Sequence, residues 1–189
     1  MMIFLDRQHL GKPNRWNDQG AERAGITETY LTSQYIFAAE NHLRMQGFDV
    51  CVLSDGWYKD RHRRVNDYCA DATGKCVYIA CHINAGFGNY AALFYDHRSA
   101  SGATLAHSIN VRLLNACPEI KTAKTIAALP DDWTKNAYNT IKGIGKPVSI
   151  CFEPLFIDCI AHEPLTLPDG IKRVGIALAE GIQYYLENN

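Results

Sequence analysis

Short apolar runs and longer stripes at helical spacing alternate from one end of the chain to the other. Met2–Asp6 is a short apolar run and predicts a first strand. A polar stretch with Gly, Pro and Asn follows to about Ile26 and reads as a loop. Between Thr27 and Met45, the residues Leu31, Tyr35, Ala38, Ala39, His42 and Leu43 recur at helical spacing, and Gly47 supplies a stop. Asp49–Leu53 predicts a second strand, and Asp60–Ala72 a helix closed by Gly74.

Val77–Cys81 and Ala91–Tyr95 read as strands joined by a segment around Gly86 and Gly88. Gly102–Asn115 places Leu105, Ile109, Leu113 and Leu114 on one side of a helix. Residues 118–146 carry a weaker pattern, with a strand within Thr122–Leu129. Pro147–Phe152 is almost unbroken apolar sequence, as a central strand covered on both faces requires. Lys172–Leu186 predicts a closing amphipathic helix. This alternation predicts an α/β fold: one domain over residues 1–189, with a twisted, mainly parallel central sheet and helices on both faces. No repeat or linker divides it.

Composition narrows the function classes. With 47% hydrophobic and 21% charged residues the chain can build an ordinary core. A formal net charge of -1 supplies no field to gather nucleic acid or an anionic membrane. No apolar run approaches the roughly 20 residues of a membrane span, so stable membrane insertion is not expected. The basic cluster Arg61, Arg63 and Arg64, with Lys59 and His62, is flanked by Asp55, Asp60 and Asp67 and reads as a solvated helix face. Seven cysteines, an odd number without two-residue spacing, point to free thiols made in a reducing cytosol. The opening apolar stretch is broken at Asp6, Arg7 and Gln8, so the expectation is cytoplasmic synthesis without a signal peptide.

The candidate chemistry gathers at strand ends. His9 lies just past the first strand, His82 just past Val77–Cys81, and Glu153 just past Pro147–Phe152. Open α/β sheets place their ligands at that carboxyl edge. Glu28 opens the long helix and can point back at it, although spacing alone does not separate Glu28 from Glu22. Two imidazoles and a carboxylate can bind a zinc ion and leave a position open, and a further carboxylate is what metal-assisted hydrolysis uses as general base. Cys81 should face away from His82, whereas Cys151 shares a face with Glu153. Asp158 and Glu163 are further acids near Glu153 in sequence, and His62, His97, His107 and His162 have no motif around them.

Four strings carry a family resemblance. Ile3-Phe4-Leu5-Asp6-Arg7-Gln8-His9-Leu10-Gly11 resembles the opening of zinc-dependent N-acetylmuramoyl-L-alanine amidases of the amidase-3 type, with their apolar strand, Asp, turn and first zinc His. Tyr78-Ile79-Ala80-Cys81-His82-Ile83-Asn84-Ala85 is similar to the strand that ends in the second His. Ile26-Thr27-Glu28, the long helix and Gly47-Phe48-Asp49-Val50 match the segment that supplies the Glu. Pro147-Val148-Ser149-Ile150-Cys151-Phe152-Glu153-Pro154-Leu155-Phe156 is like the strand that delivers the catalytic Glu. The four stand in the family's order and cover Ile3 to about Leu186. Arg7, Gln8 and Leu10 depart from it, standing where the family has small, Gly or Pro residues.

The resemblance implies the zinc-amidase, phosphorylase/hydrolase-like version of the fold. It implies Zn²⁺ held by His9, Glu28 and His82, with Glu153 as the catalytic carboxylate. Arg64, followed by Val65-Asn66, resembles an Arg of the family's second helix, and it and Asn84 are candidates for substrate contact or for structural roles. The implied partner is peptidoglycan, cut between N-acetylmuramic acid and L-alanine, without a separate wall-binding domain. A phage or prophage endolysin, released to act on the host wall, fits such a chain. The alternatives are a related zinc exopeptidase or amidohydrolase acting on small peptides, and a non-catalytic wall-binding protein of the same fold.

Overall fold

The computed structural model describes residues 1–15 and 17–189. A six-stranded sheet is built from β1 (Met2–Arg7), β4 (Asp49–Leu53), β5 (Cys76–Cys81), β6 (Ala91–Asp96), β7 (Ala123–Ala128) and β8 (Val148–Glu153). Its order is β4-β1-β5-β8-β6-β7, and every neighbouring pair is parallel except β6 with β8. β1, β4, β5 and β8 therefore end at one edge. Two short strands, β2 (Glu22–Arg23) and β3 (Ile26–Thr27), form a hairpin inside the expected loop. Ala24 and Gly25 both take positive φ there, as the tightest hairpin turns require.

Period-two alternation sorts the sheet residues onto two cores. Ile3, Leu5, Val77, Ile79, Cys81, Ile150 and Phe152 face one side. There they meet α1 (Glu28–Met45), α3 (Ala100–Ala116) and α5 (Pro168–Asn188). Phe4, Tyr78, Ala80 and Cys151 face the other, against α2 (Tyr58–Ala70) and α4 (Lys135–Ile141). Because β8 lies inside the sheet with both faces covered, its run of apolar residues has no polar alternation. α5 crosses α1 so closely that a Cβ on Gly175 would stand 2.3 Å from the Tyr35 carbonyl oxygen. No helix among the described residues is long and apolar enough to cross a membrane.

α2 departs from its expected role as a solvated face. Arg63 and Arg64 are exposed, but Arg61, His62, Val65 and Cys69 form its buried stripe. Arg61 is fully buried against an equally buried Asp6 of β1. A charge pays for burial only through partners, and Arg61 has five. It donates to the Asp6 carboxylate, to the carbonyls of Arg7 (2.9 Å) and Leu10, and through Nε to Asp55 (3.2 Å) and Gly56 (3.1 Å). Tyr78 donates to the second Asp6 oxygen at 2.5 Å. This network ties the turn after β1 to the turn after β4.

Candidate metal centre and active-site cleft

The parallel β5–β8 pairing runs on past both strands. His82 N donates to Phe152 O (3.0 Å), Asn84 N to Leu155 O (3.0 Å) and Ile157 N to Asn84 O (2.9 Å). The turns that carry His82 and Glu153 thus run side by side. His9 leaves the adjacent end of β1 with φ of 69°, a left-handed conformation that non-glycine residues seldom adopt and that here aims its ring along the edge. Thr27 caps α1, its side chain accepting from Tyr30 N, and places Glu28 in the first turn. The Tyr35 hydroxyl donates to the His82 carbonyl at 3.1 Å.

Three donors converge at this edge. Glu28 Oε1 lies 2.8 Å from His82 Nδ1 and 3.3 Å from His9 Nε2, and it accepts from Ile83 N at 3.0 Å. Ala21 N donates to the other oxygen at 3.0 Å. One donor atom from each of His9, Glu28 and His82 lies within 4.8 Å of the others, the one such group of His, Cys, Asp and Glu among the described residues. Glu22, the alternative that spacing left open, is exposed in β2. Burial alone would raise the Glu28 carboxyl. Hydrogen bonds from His82 and His9, and their charge, outweigh burial and hold it well below the usual carboxylate range. For His9 burial works to lower the imidazole, and Glu28 reverses that, so the ring is raised above its ordinary value.

The donor set fits a divalent cation. Bonds of about 2.0–2.1 Å to tetrahedral Zn²⁺ put neighbouring donors roughly 3.3 Å apart, close to the spacings seen here. His9 Nδ1 is engaged by Asp18 Oδ1 at 3.0 Å, which turns Nε2 towards Glu28. His82 Nε2 is buried without a hydrogen-bond partner.

A cleft of about 600 Å³ opens in front of these residues. His9, His82, Glu153 and Cys151 form its floor, Trp57 and Tyr58 one wall, and residues of α4 the other. Glu153 is half-buried. Asn84 Nδ2 donates to its Oε2 and Cys151 Sγ lies 3.9 Å from its Oε1. Burial raises its carboxyl above the usual range, although the charge of His82 and these hydrogen bonds pull the other way.

Asn84 therefore holds Glu153 rather than His82. Arg64 does not join the site: it is exposed and bonded to Asp55 at 3.1 Å. Asp158 accepts from Gly86 N (2.7 Å) and Phe87 N (3.0 Å), and His162 Nδ1 accepts from Phe156 N (3.0 Å), so both shape loops. Cys81 faces the core, as alternation requires. Sequence reasoning missed Asp18, Lys12, Trp57, Tyr58 and the α4 wall: Asp18, Lys12 and Trp57 lie on loops, Tyr58 opens α2 two residues before the expected start at Asp60, and α4 is too short for a clear period. The available signal for α4 was the spacing of Ala137, Thr140 and Ile141.

No protein-family model and no curated protein sequence matches the chain. Solved structures do. Cwp6 from Clostridium difficile superposes with a TM-score of 0.79 at 21% identity, covering 98% of this chain, which spans only 29% of that one. The N-acetylmuramoyl-L-alanine amidase AmiC2 of Nostoc punctiforme superposes at 0.75 and 18% identity, covering 100% of this chain and 98% of its own. This chain has the amidase fold. The catalytic domain of the CD27L endolysin targeting Clostridia Difficile also shares it, with a TM-score of 0.70, 18% identity and 97% of each chain covered. The resemblance carried by the four sequence strings thus extends to the whole architecture of an amidase.

Proposed function

We propose that this protein is a zinc-dependent hydrolase that cuts the amide between N-acetylmuramic acid and L-alanine in peptidoglycan. The observation that carries the reading is the convergence of His9, Glu28 and His82 on one point, with Glu153 on the floor of the same cleft. The structures that share the fold include N-acetylmuramoyl-L-alanine amidases, which supports the choice of substrate. A Zn²⁺ held by His9, Glu28 and His82 would supply Lewis acidity to polarise the scissile carbonyl.

The remaining steps fall to the protein's own side chains. Glu153 faces the cleft as a general base, taking the proton of the attacking water and handing it to the departing amine. Its raised carboxyl moves it towards working pH, where a base gives and takes a proton most readily. Asn84 and Cys151 fix its two oxygens, so it does not swing away from the reacting atoms. Trp57 and Tyr58 line the cleft and give an extended ligand aromatic surface to pack against.

A lytic, endolysin-like setting is part of the proposal, supported by the shared fold of the endolysin catalytic domain. A zinc peptidase acting on small peptides would use the same donors, and Arg15 on the cleft wall could receive a free carboxylate. Replacing Glu153 by Gln tests the mechanism directly. The variant should bind Zn²⁺ like the wild type and release nothing from peptidoglycan above background. Full activity would remove Glu153 from the reaction.

A further inference from the structure

The loop between β1 and α1 carries a polar cluster to which the hydrolytic reading gives no part. Asp18 Oδ1 lies 3.0 Å from His9 Nδ1 and accepts from Gly20 N at 3.1 Å. Its Oδ2 accepts from Lys12 Nζ at 3.0 Å. Lys12 is only 5% exposed, rare for an ammonium, and its Nζ sits 4.8 Å over the Tyr58 ring. The same loop grips a second ligand: Ala21 N donates to Glu28 Oε2 (3.0 Å) and Glu28 N to Ala21 O (2.8 Å).

We infer that Asp18 is a positioning residue for His9, and that Lys12 anchors it. The inference rests on reading His9 as a metal ligand. A neutral imidazole has one N–H and one bare nitrogen, and only the bare one can bind a cation. Which nitrogen is bare depends on the hydrogen bond made by the other. Asp18 accepts the hydrogen bond from Nδ1–H, so Nε2 is left bare on the side of Glu28 and His82. A carboxylate behind the ring also makes the ligand more basic and fixes its orientation. His9 needs that help, because its side chain is 20% exposed and it stands on a left-handed backbone beyond the end of the strand. Lys12 holds Asp18 from the other side, and Tyr58 holds Lys12, so a residue of the cleft wall is tied to the ligand through three contacts.

The test uses the full chain with Asp18→Ala and Asp18→Asn. Two quantities are read: the Zn²⁺ dissociation constant, by competition with a chromogenic chelator, and the His9 ring tautomer. The second comes from long-range ¹H–¹⁵N NMR of the metal-free protein, above the pH at which its imidazoles titrate. The wild type should show the Nδ1–H tautomer. Asp18→Ala should weaken Zn²⁺ roughly 10–100-fold and give a mixed tautomer. Asp18→Asn can keep an oxygen facing Nδ1–H and Gly20 N at the cost of the Lys12 bond, so it should keep the tautomer and lose less affinity than Asp18→Ala, a rescue that simple loop support would not produce. A folded Asp18→Ala with wild-type affinity, or a wild-type His9 protonated on Nε2, overturns the inference. If Asp18→Ala fails to fold, the wild-type tautomer and Asp18→Asn still decide it. A wild type that takes up no Zn²⁺ removes the metal reading, while the His9 tautomer continues to report on Asp18 alone.

Discussion

Replacing Arg61 by Met removes the guanidinium and keeps most of its apolar length. Asp6 is then a fully buried carboxylate with only the Tyr78 hydroxyl to face it. Breaking a buried ion pair from one side typically costs about 3–5 kcal/mol, because the stranded charge keeps its desolvation penalty. Against a total stability of about 5–15 kcal/mol, that is a large loss. In urea, with an m-value of about 2 kcal/mol/M, the midpoint should fall by about 2 M while m stays constant. Adding Asp6→Leu removes the stranded charge and should return roughly 2 kcal/mol. It should not return everything, because the part-buried carbonyls of Arg7, Leu10, Asp55 and Gly56 still lack their Arg61 donor. Two of those carbonyls flank His9, so the double variant should regain stability without regaining wild-type Zn²⁺ affinity. A single variant within about 1 kcal/mol of the wild type, or a double variant less stable than the single, would mean that Arg61 and Asp6 do not depend on each other for burial.

Three further outcomes follow from the site. Glu153 must be ionised to act as base, and burial raises its carboxyl, so NMR titration of the metal-free protein should place it above the ordinary glutamate range. Asn84 favours the charged form, so Asn84→Ala should shift the acid limb of the kcat/KM profile to higher pH; a limb that stays or moves down contradicts its role. Gly20 has φ of 69°, and a Cβ there would lie 2.4 Å from Glu28 Oε2. Gly20→Ala should therefore displace a ligand and weaken Zn²⁺ about tenfold or more, read by the same chelator competition; unchanged affinity would mean that the loop yields freely.

The parts of the fold legible in the sequence are those whose signal is local. The ends of β1, β5 and β8 could be read because apolar runs stop abruptly at polar residues, and parallel strands bring such stops to one edge. His9, His82 and Glu153 came with them. Glu28 needed the resemblance, since Glu22 is equally placed in sequence, and only the folded loop shows which of them is buried. Arg61 was misread as solvated because its partner Asp6 lies 55 positions away, and no local pattern marks a pair at that range. Val65 and Cys69, one and two turns on, were the cue that its face is buried. Asp18 and Lys12 sit on an irregular loop where no period exists to place them. Asn84 stood out as a candidate, but its bond to Glu153 depends on pairing that extends beyond β5 and β8.

The bond that is cut decides the function. Purified peptidoglycan should be digested with and without a zinc chelator, and the released fragments identified by mass spectrometry. A zinc-dependent amidase should release stem peptides with a free N-terminal L-alanine and leave peptide-free glycan, both lost when zinc is removed. Zinc-dependent cuts inside the stem peptide would keep the metal site and contradict the amidase assignment. A zinc-loaded protein that releases nothing from several wall types would contradict peptidoglycan as its substrate.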